Sequence, residues 1–196
     1  MATSRDNKTI FDFKSRLVGG GARPNLFEVE LASIPGNIPW NADTFRFLCK
    51  GAALPAQNVS SIDVPFRGRV FKVAGDRTVD PWSVTIINDE GFELRNAFEQ
   101  WANLMANLDT NIGATDPAAY MTDATVYQLG RGSKVGSVDN AGASNVVLKE
   151  YKFQSIFPTN VSEIALSYDS SDTIEEFTVE FQVQSFTFNQ AGGSNG

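Results

Sequence analysis

Apolar and polar residues alternate with a period of two along most of the chain, the signature of half-buried β-strands. In residues 26–31, Phe27, Val29 and Leu31 alternate with Leu26, Glu28 and Glu30. Residues 82–87 place Trp82, Val84 and Ile86 on one face. Residues 176–184 set Phe177, Val179, Phe181 and Val183 against Glu176, Thr178, Glu180, Gln182 and Gln184, so one face should meet the core and the other water. Further strands are expected over residues 44–50, 59–66 (with Pro65 marking an edge or an end), 69–73, 124–129, 146–157 (ending at Pro158) and 164–168. Pro35, Gly36, Pro39, Asn41 and Asp43 mark a loop, and Gly75-Asp76 a turn.

One segment breaks that period. Leu94, Phe98, Trp101, Met105 and Leu108 fall at spacings of four, three, four and three, which predicts a helix whose apolar stripe packs on a sheet. Asn88 or Asp89 is its expected N-cap, and Asp89 and Glu90 suit the positive end of its dipole. Ile10, Phe11, Phe13 and Leu17 mark a short amphipathic turn within an N-terminal arm, residues 1–21, which Gly19-Gly20-Gly21 ends. Residues 130–145, rich in Gly and Ser, read as a hairpin tip or loop, and residues 189–196 as a flexible tail. The sum is eight or nine strands and one flanking helix. The expected fold is mainly β, two packed antiparallel sheets forming a β-sandwich or partly open barrel, in a single domain over residues 22–188.

Composition narrows the chemistry. The 196 residues include no His and one Cys, which excludes a Ser-His-Asp triad, a Cys-His pair, a His-ligated zinc and an internal disulfide. Cys49 reads as a small buried hydrophobe. The net charge of −7 is uneven: residues 1–100 carry 12 basic and 12 acidic side chains, residues 101–196 carry 4 and 11. Such a chain lacks the basic footprint that grips phosphates and would repel nucleic acid. No apolar run approaches a membrane span, and the polar start of the chain is not followed by a signal-peptide core. The glycosylation sequons at Asn7, Asn58 and Asn160 are therefore read as chance.

Candidate chemistry is sparse. Neighbouring carboxylates such as Glu175-Glu176 point to opposite faces of a strand and do not flank a bond as a glycosidase pair must. The segment Asp169-Ser170-Ser171-Asp172 lacks the spacing and central Gly of a calcium loop and reads as a solvated turn. Gly130-Arg131-Gly132-Ser133-Lys134 lacks the order and helix of a phosphate loop. Asp76-Arg77 suits a charged turn pair or an inter-subunit contact. No catalytic, cofactor-binding or metal-ligating residue is assigned, and no enzymatic activity is expected.

An ordered set of segments resembles the tail tube proteins of T4-like contractile-tailed bacteriophages. It comprises Ala22-Arg23-Pro24-Asn25-Leu26-Phe27-Glu28-Val29; Cys49-Lys50 with Ala53-Leu54-Pro55-Ala56; Val73-Ala74-Gly75-Asp76-Arg77-Thr78 leading into Trp82-Ser83-Val84-Thr85; Asn88-Asp89-Glu90; Phe157-Pro158-Thr159-Asn160-Val161; and the last alternating strand. The resemblance implies family-motif roles for Arg23, Pro24, Asn25, Phe27, Gly75, Asp76, Arg77, Trp82, Pro158, Thr159 and Asn160. It implies rings of six copies, stacked into a tube whose inner sheets join in one barrel around a lumen. The implied partners are further copies of the chain, a tail sheath protein, a baseplate tube initiator and a tape-measure protein. DNA would pass through the lumen without specific binding and no membrane would be involved. The implied location is the virion tail, assembled in the host cytoplasm. The lumen is expected to be acidic, and the arm and residues 132–143 to touch neighbouring rings or subunits. The competing readings are a baseplate initiator of the same fold, the tube of a type VI secretion system or a phage-tail-like bacteriocin, and a carbohydrate-binding β-sandwich.

Overall fold

The computed structural model describes residues 9–17, 21–130 and 147–190. The elements in chain order are α1 (Ile10–Arg16), β1 (Phe27–Leu31), α2 (Ala42–Leu48), β2 (Cys49–Ala52), β3 (Asn58–Phe66), β4 (Arg69–Thr78), β5 (Trp82–Ile87), α3 (Glu93–Met105), β6 (Thr122–Leu129), β7 (Val147–Val161), β8 (Glu176–Gln182) and β9 (Ser185–Gln190). The fold is mainly β, as the alternation predicts, with two antiparallel ladders joined through β7, a separate β3–β4 pair and, among the described residues, no closed barrel. The first ladder runs β1-β6-β7-β9 and the second β2-β5-β8-β7.

β7 belongs to both ladders because it is bent. Its first part pairs with β6 and β9, and Phe157–Val161 pairs with β8. At the bend Ser155 sits at φ 54°, its N–H donating to Asp123 Oδ1 at 3.0 Å. The β6–β7 register shifts between Thr122 and Ala124. A bulge of this kind turns a strand from one sheet into the next. The strand therefore runs on through Pro158, where the sequence predicts its end. Pro158 is accommodated at a second register shift against β8.

The inward faces of the ladders meet around aromatics. Trp82 of β5 stacks on Phe153 of β7 with ring centroids 4.5 Å apart. Phe98 of α3 lies within 6.3 Å of Trp40, Phe45, Trp101, Phe177 and Phe181. Leu94, Ala97, Phe98 and Trp101 are buried, and Trp101 Nε1 donates to the Tyr120 carbonyl at 2.8 Å. Met105 is half-buried at the helix end.

Several expectations are corrected. Residues 44–50 hold α2 and the start of β2, not one strand. Asn41 caps α2, its side chain accepting from Thr44 N at 3.1 Å, and the helical turn buries Phe45 while Phe47 faces solvent. α2 raises the helix count from one to three with α1 and α3 among the described residues. The N-cap of α3 is Phe92 in the left-handed region, with no side-chain cap. Asn88 is instead tied to Glu175, and Asp89 accepts from Gly91 N. Leu108 lies beyond α3, exposed.

Gly75-Asp76 is no turn, because β4 continues to Thr78. Residues 164–168 are not a strand: Leu166 and Tyr168 are exposed in an irregular segment that turns between Ser167 and Ser170. Asn189, placed in the tail by the sequence pattern, is paired with Glu150 in β9. The alternation of residues 176–184 stops before β9, which the sequence pattern does not predict. The Gly-rich stretch 132–143 lies outside the described residues.

Candidate assembly surface

Side chains with chemical potential are occupied structurally or dispersed. Among the described residues no group of three or more His, Cys, Asp or Glu is arranged to hold a metal ion. Glu176 pairs with Lys50, Glu28 with Arg46 at 3.3 Å, and Glu99 with Arg95 at 2.7 Å. Tyr127 Oη donates to Glu30 Oε2 at 3.2 Å. Its phenol is pushed above its usual range by partial burial, then by the charges of Glu30 and Glu150.

Burial pushes the Cys49 thiol up to about 12. A thiol reagent at pH 8 should therefore leave the folded chain unlabelled and modify one thiol in denaturant. Rapid native labelling would contradict that burial. The raised folded value also fixes a sign. The contribution of Cys49 to stability is whole below the unfolded thiol pKa, near 9, and is lost as pH rises toward 12.

The conspicuous surface is the β3–β4 hairpin. These strands pair only with each other among the described residues, and at their base Asn58 donates to Asp80 Oδ2 at 2.6 Å and Arg77 lies against Phe186. The tip is a two-residue turn, with Arg67 at φ 45° and Gly68 at φ 79°, the positive values that match the twist of hairpin strands and favour Gly. Cross-strand pairs share a face. Ile62 opposes Val73 and Val64 opposes Phe71, with Phe66 beside the tip. These five apolar side chains make one continuous stripe, and each is exposed, from 42% for Val73 to 67% for Phe71. The opposite face carries the Asp63–Lys72 ion pair at 2.8 Å, with Pro65 opposite Val70. An apolar stripe with no core beneath it is the mark of an interaction surface.

Charge separates the hairpin from the body. Residues 58–78 hold four basic side chains (Arg67, Arg69, Lys72, Arg77) and two acidic ones (Asp63, Asp76), while the rest of the chain holds 12 basic and 21 acidic. The ladders add open edges: β1 and β9 flank the first, and β2 ends the second. Unpaired strand edges are templates for pairing with another chain.

The residues singled out in sequence do not converge on one cleft. Arg23, Pro24 and Asn25 form the turn into β1, fixed by Gln128 Nε2 donating to the carbonyls of Arg23 at 2.9 Å and Leu26 at 2.8 Å. Phe27 opens β1, half-buried on the core. Trp82 is buried, its Nε1 donating to the Ala53 carbonyl at 2.9 Å. Pro158, Thr159 and Asn160 lie at the β7–β8 register shift, where Thr159 Oγ1 donates to the Glu180 carbonyl at 3.2 Å.

Gly75, Asp76 and Arg77 form the irregular base of the hairpin, where the register shifts beside Ser60. Arg77 reaches the body with its guanidinium 5.2 Å from the Phe186 ring, the arrangement of a cation–π contact. A Cβ on Gly75 would lie 2.5 Å from Ser60 Oγ and 3.2 Å from the Ser60 carbonyl. Gly75→Ala should therefore loosen the hairpin base by roughly 1–3 kcal/mol. Faster amide exchange confined to residues 58–78, with the global unfolding midpoint unmoved, is the expected measurement. The hairpin stripe itself had a signal in the period-two run Ile62, Val64, Phe66. That pattern also fits a core strand, so sequence alone did not reveal it as surface.

The family model for phage tail tube proteins matches residues 22–189. Tail tube protein gp19 of Enterobacteria phage T4 is 39% identical over 161 residues, covering 82% of this chain and 88% of that protein. The tail tube protein of Serratia phage KSP90 is 24% identical over 179 residues, covering 89% of this chain and 93% of its own length. Two solved structures share the fold. A chain of the anti-feeding prophage baseplate aligns with a TM-score of 0.60 at 11% identity, over 88% of this chain and 97% of that one. A chain of the extended sheath–tube complex of an extracellular contractile injection system aligns with a TM-score of 0.54 at 14% identity, over 94% and 99%.

Proposed function

The chain belongs to the phage tail tube protein family, whose role is structural, and from that premise we propose that it assembles with further copies of itself into stacked six-membered rings that form the inner tube of a contractile tail. The observation that carries this reading is the β3–β4 hairpin, whose apolar stripe is exposed and has no partner strand or core among the described residues. Its occupant is a second copy. The basic hairpin and the acidic body are complementary, so copies attract where hairpin meets body.

Strand parity is compatible with ring closure. Each ladder holds four antiparallel strands, an even number, so a copy set edge to edge with its neighbour by rotation continues the antiparallel alternation. Closure of the ring then removes the open edges. The excess of acidic side chains suits a wall along which DNA slides without being gripped. In this reading a sheath surrounds the tube, a baseplate initiator starts it and a tape-measure protein sets its length. Assembly takes place in the host cytoplasm, and the protein performs no catalysis.

Sedimentation velocity over rising protein concentration tests self-assembly. The expected result is a shift from monomer to six-copy and heavier species, weakened by added salt because the hairpin–body attraction is screened. A chain that sediments as a monomer at every concentration would contradict the proposal.

A further inference from the structure

The family match begins at residue 22, so α1 stands before it. α1 is held by its own capping box: Thr9 Oγ1 accepts from Asp12 N at 3.2 Å, and Asp12 Oδ2 accepts from Thr9 N at 3.1 Å. The Thr9 hydroxyl, donating to Asp12 Oδ2 at 2.7 Å, and then the Thr9 N–H draw the Asp12 carboxyl below its usual range. Ile10, Phe13 and Leu17 recur at three and four residues and so share one stripe, which Lys14 and Arg16 flank. α1 buries no residue, and Ile10 and Phe13 are 78% and 66% exposed. Residues 1–17 carry Arg5, Lys8, Lys14 and Arg16 against Asp6 and Asp12, a basic excess on an acidic chain.

A complementary surface lies elsewhere in the same chain. A cleft of about 410 Å³ separates residues 39–41 from the first turns of α3. Half-buried Trp40 is its apolar wall, the buried Leu94 and Ala97 lie at its floor, and Asn41, Glu93, Asn96 and Gln100 are its exposed polar members. Asp89 and Glu90 precede Glu93 in sequence, so this end of α3 is acidic. The volume takes one or two aromatic or aliphatic side chains.

In chain order the arm leads into one end of β1 and the loop of the cleft leaves the other. The arm enters β1 through the turn at residues 23–26, whereas Trp40 is held at the far end by its Nε1 donating to the Leu31 carbonyl at 2.6 Å. β1 itself, five residues, spans roughly 14 Å. A donor at one end and an acceptor at the other suit a head-to-tail contact, which propagates from copy to copy instead of closing on itself.

We propose that α1 of one copy seats Phe13, with Ile10 beside it, against Trp40 in the cleft of a neighbouring copy, with Lys14 and Arg16 against Glu93. The inference rests on the tube reading for the presence of neighbours. It assigns to the arm a linking role that the matched region, residues 22–189, does not include.

The test is cross-linking between two single variants, Lys14→Cys and Gln100→Cys, one carrying a size tag, mixed and assembled before a short bis-maleimide is added. Cys49 is buried and should stay unlabelled in both. The expected product joins the tagged to the untagged chain, and it disappears when Phe13→Asp is added to the Lys14→Cys chain. Phe13→Asp alone should raise the concentration needed for assembly roughly tenfold or more. Because α1 buries nothing, its circular dichroism and unfolding midpoint should match the parent chain. Absence of the mixed product overturns the inference, as does a mixed product that Phe13→Asp leaves intact. Electron microscopy of the same sample separates the two readings. Tubes without the mixed product leave the tube standing and remove only the helix–cleft contact, whereas absence of both removes both.

Discussion

Replacing Val64 and Phe71 together by Asp is expected to abolish tube formation while leaving the isolated chain folded. The two side chains oppose each other across the β3–β4 hairpin, in the middle of its apolar stripe, and 44% and 67% of their surfaces are already exposed. Polar substitutions at such positions change the stability of the chain by only about 0.5 kcal/mol. In an assembled tube the same carboxylates would be enclosed without partners, and each unpaired buried charge costs several kcal/mol. Loss of heavy species in sedimentation, with an unchanged thermal midpoint, is the predicted pair of observations. Asp63→Asn, on the opposite face and paired only with Lys72, should have a far smaller effect. Normal assembly of the double variant would remove the hairpin from the account.

The largest loss of fold stability is expected at Phe98. Its ring is fully buried and stands among five other aromatic rings contributed by the loop before α2, by α2 and α3 themselves, and by β8. Phe98→Ala removes that contact surface and leaves a cavity that these rigid rings cannot collapse to fill, at a cost of about 3–5 kcal/mol. Against a typical total of about 5–15 kcal/mol this is a large fraction. For a chain of this size the thermal midpoint should fall by roughly 6–20 °C. Thermal unfolding followed by circular dichroism measures it, and a loss under about 1 kcal/mol would show that the aromatic cluster is not the centre of the core.

What the sequence made legible depended on whether local period and tertiary burial agreed. Trp82, Val84 and Ile86, and likewise Phe177, Val179 and Phe181, alternate and are buried, so β5 and β8 were readable. Leu94, Phe98 and Trp101 were readable for the matching reason on a helix. Residues 44–50 were not, because Phe45, Phe47 and Cys49 alternate like a strand, whereas the Asn41 cap and the burial of Phe45 alone are helical. Gly75 carries a turn signal that a bulge shares, and only the pairing of β4 with β3 decides between them. β9 was hidden because its two aromatics, half-buried Phe186 and exposed Phe188, sit beside a polar, Gly-rich end.

The surface was less legible than the fold. Ile62, Val64 and Phe66 look like core positions, and their exposure follows only from a hairpin that stands clear of both ladders. The cleft beside Trp40 brings residues 39–41 to residues 91–100, a juxtaposition that no local pattern encodes. The eleven motif positions proved to be turns, register shifts and packing points of the fold, which explains why they are scattered in space. Asp169-Ser170-Ser171-Asp172 lies in a turning, exposed segment, in keeping with its reading as a solvated turn.

Negative-stain electron microscopy of the purified protein at high concentration tests the central claim most directly. The account predicts hollow rods of stacked six-fold rings, shorter or absent when salt is raised or the hairpin stripe is made polar. Uniform globules at every concentration and salt would contradict self-assembly through the hairpin, and isolated rings that never stack would contradict the tube while favouring a baseplate initiator of the same fold.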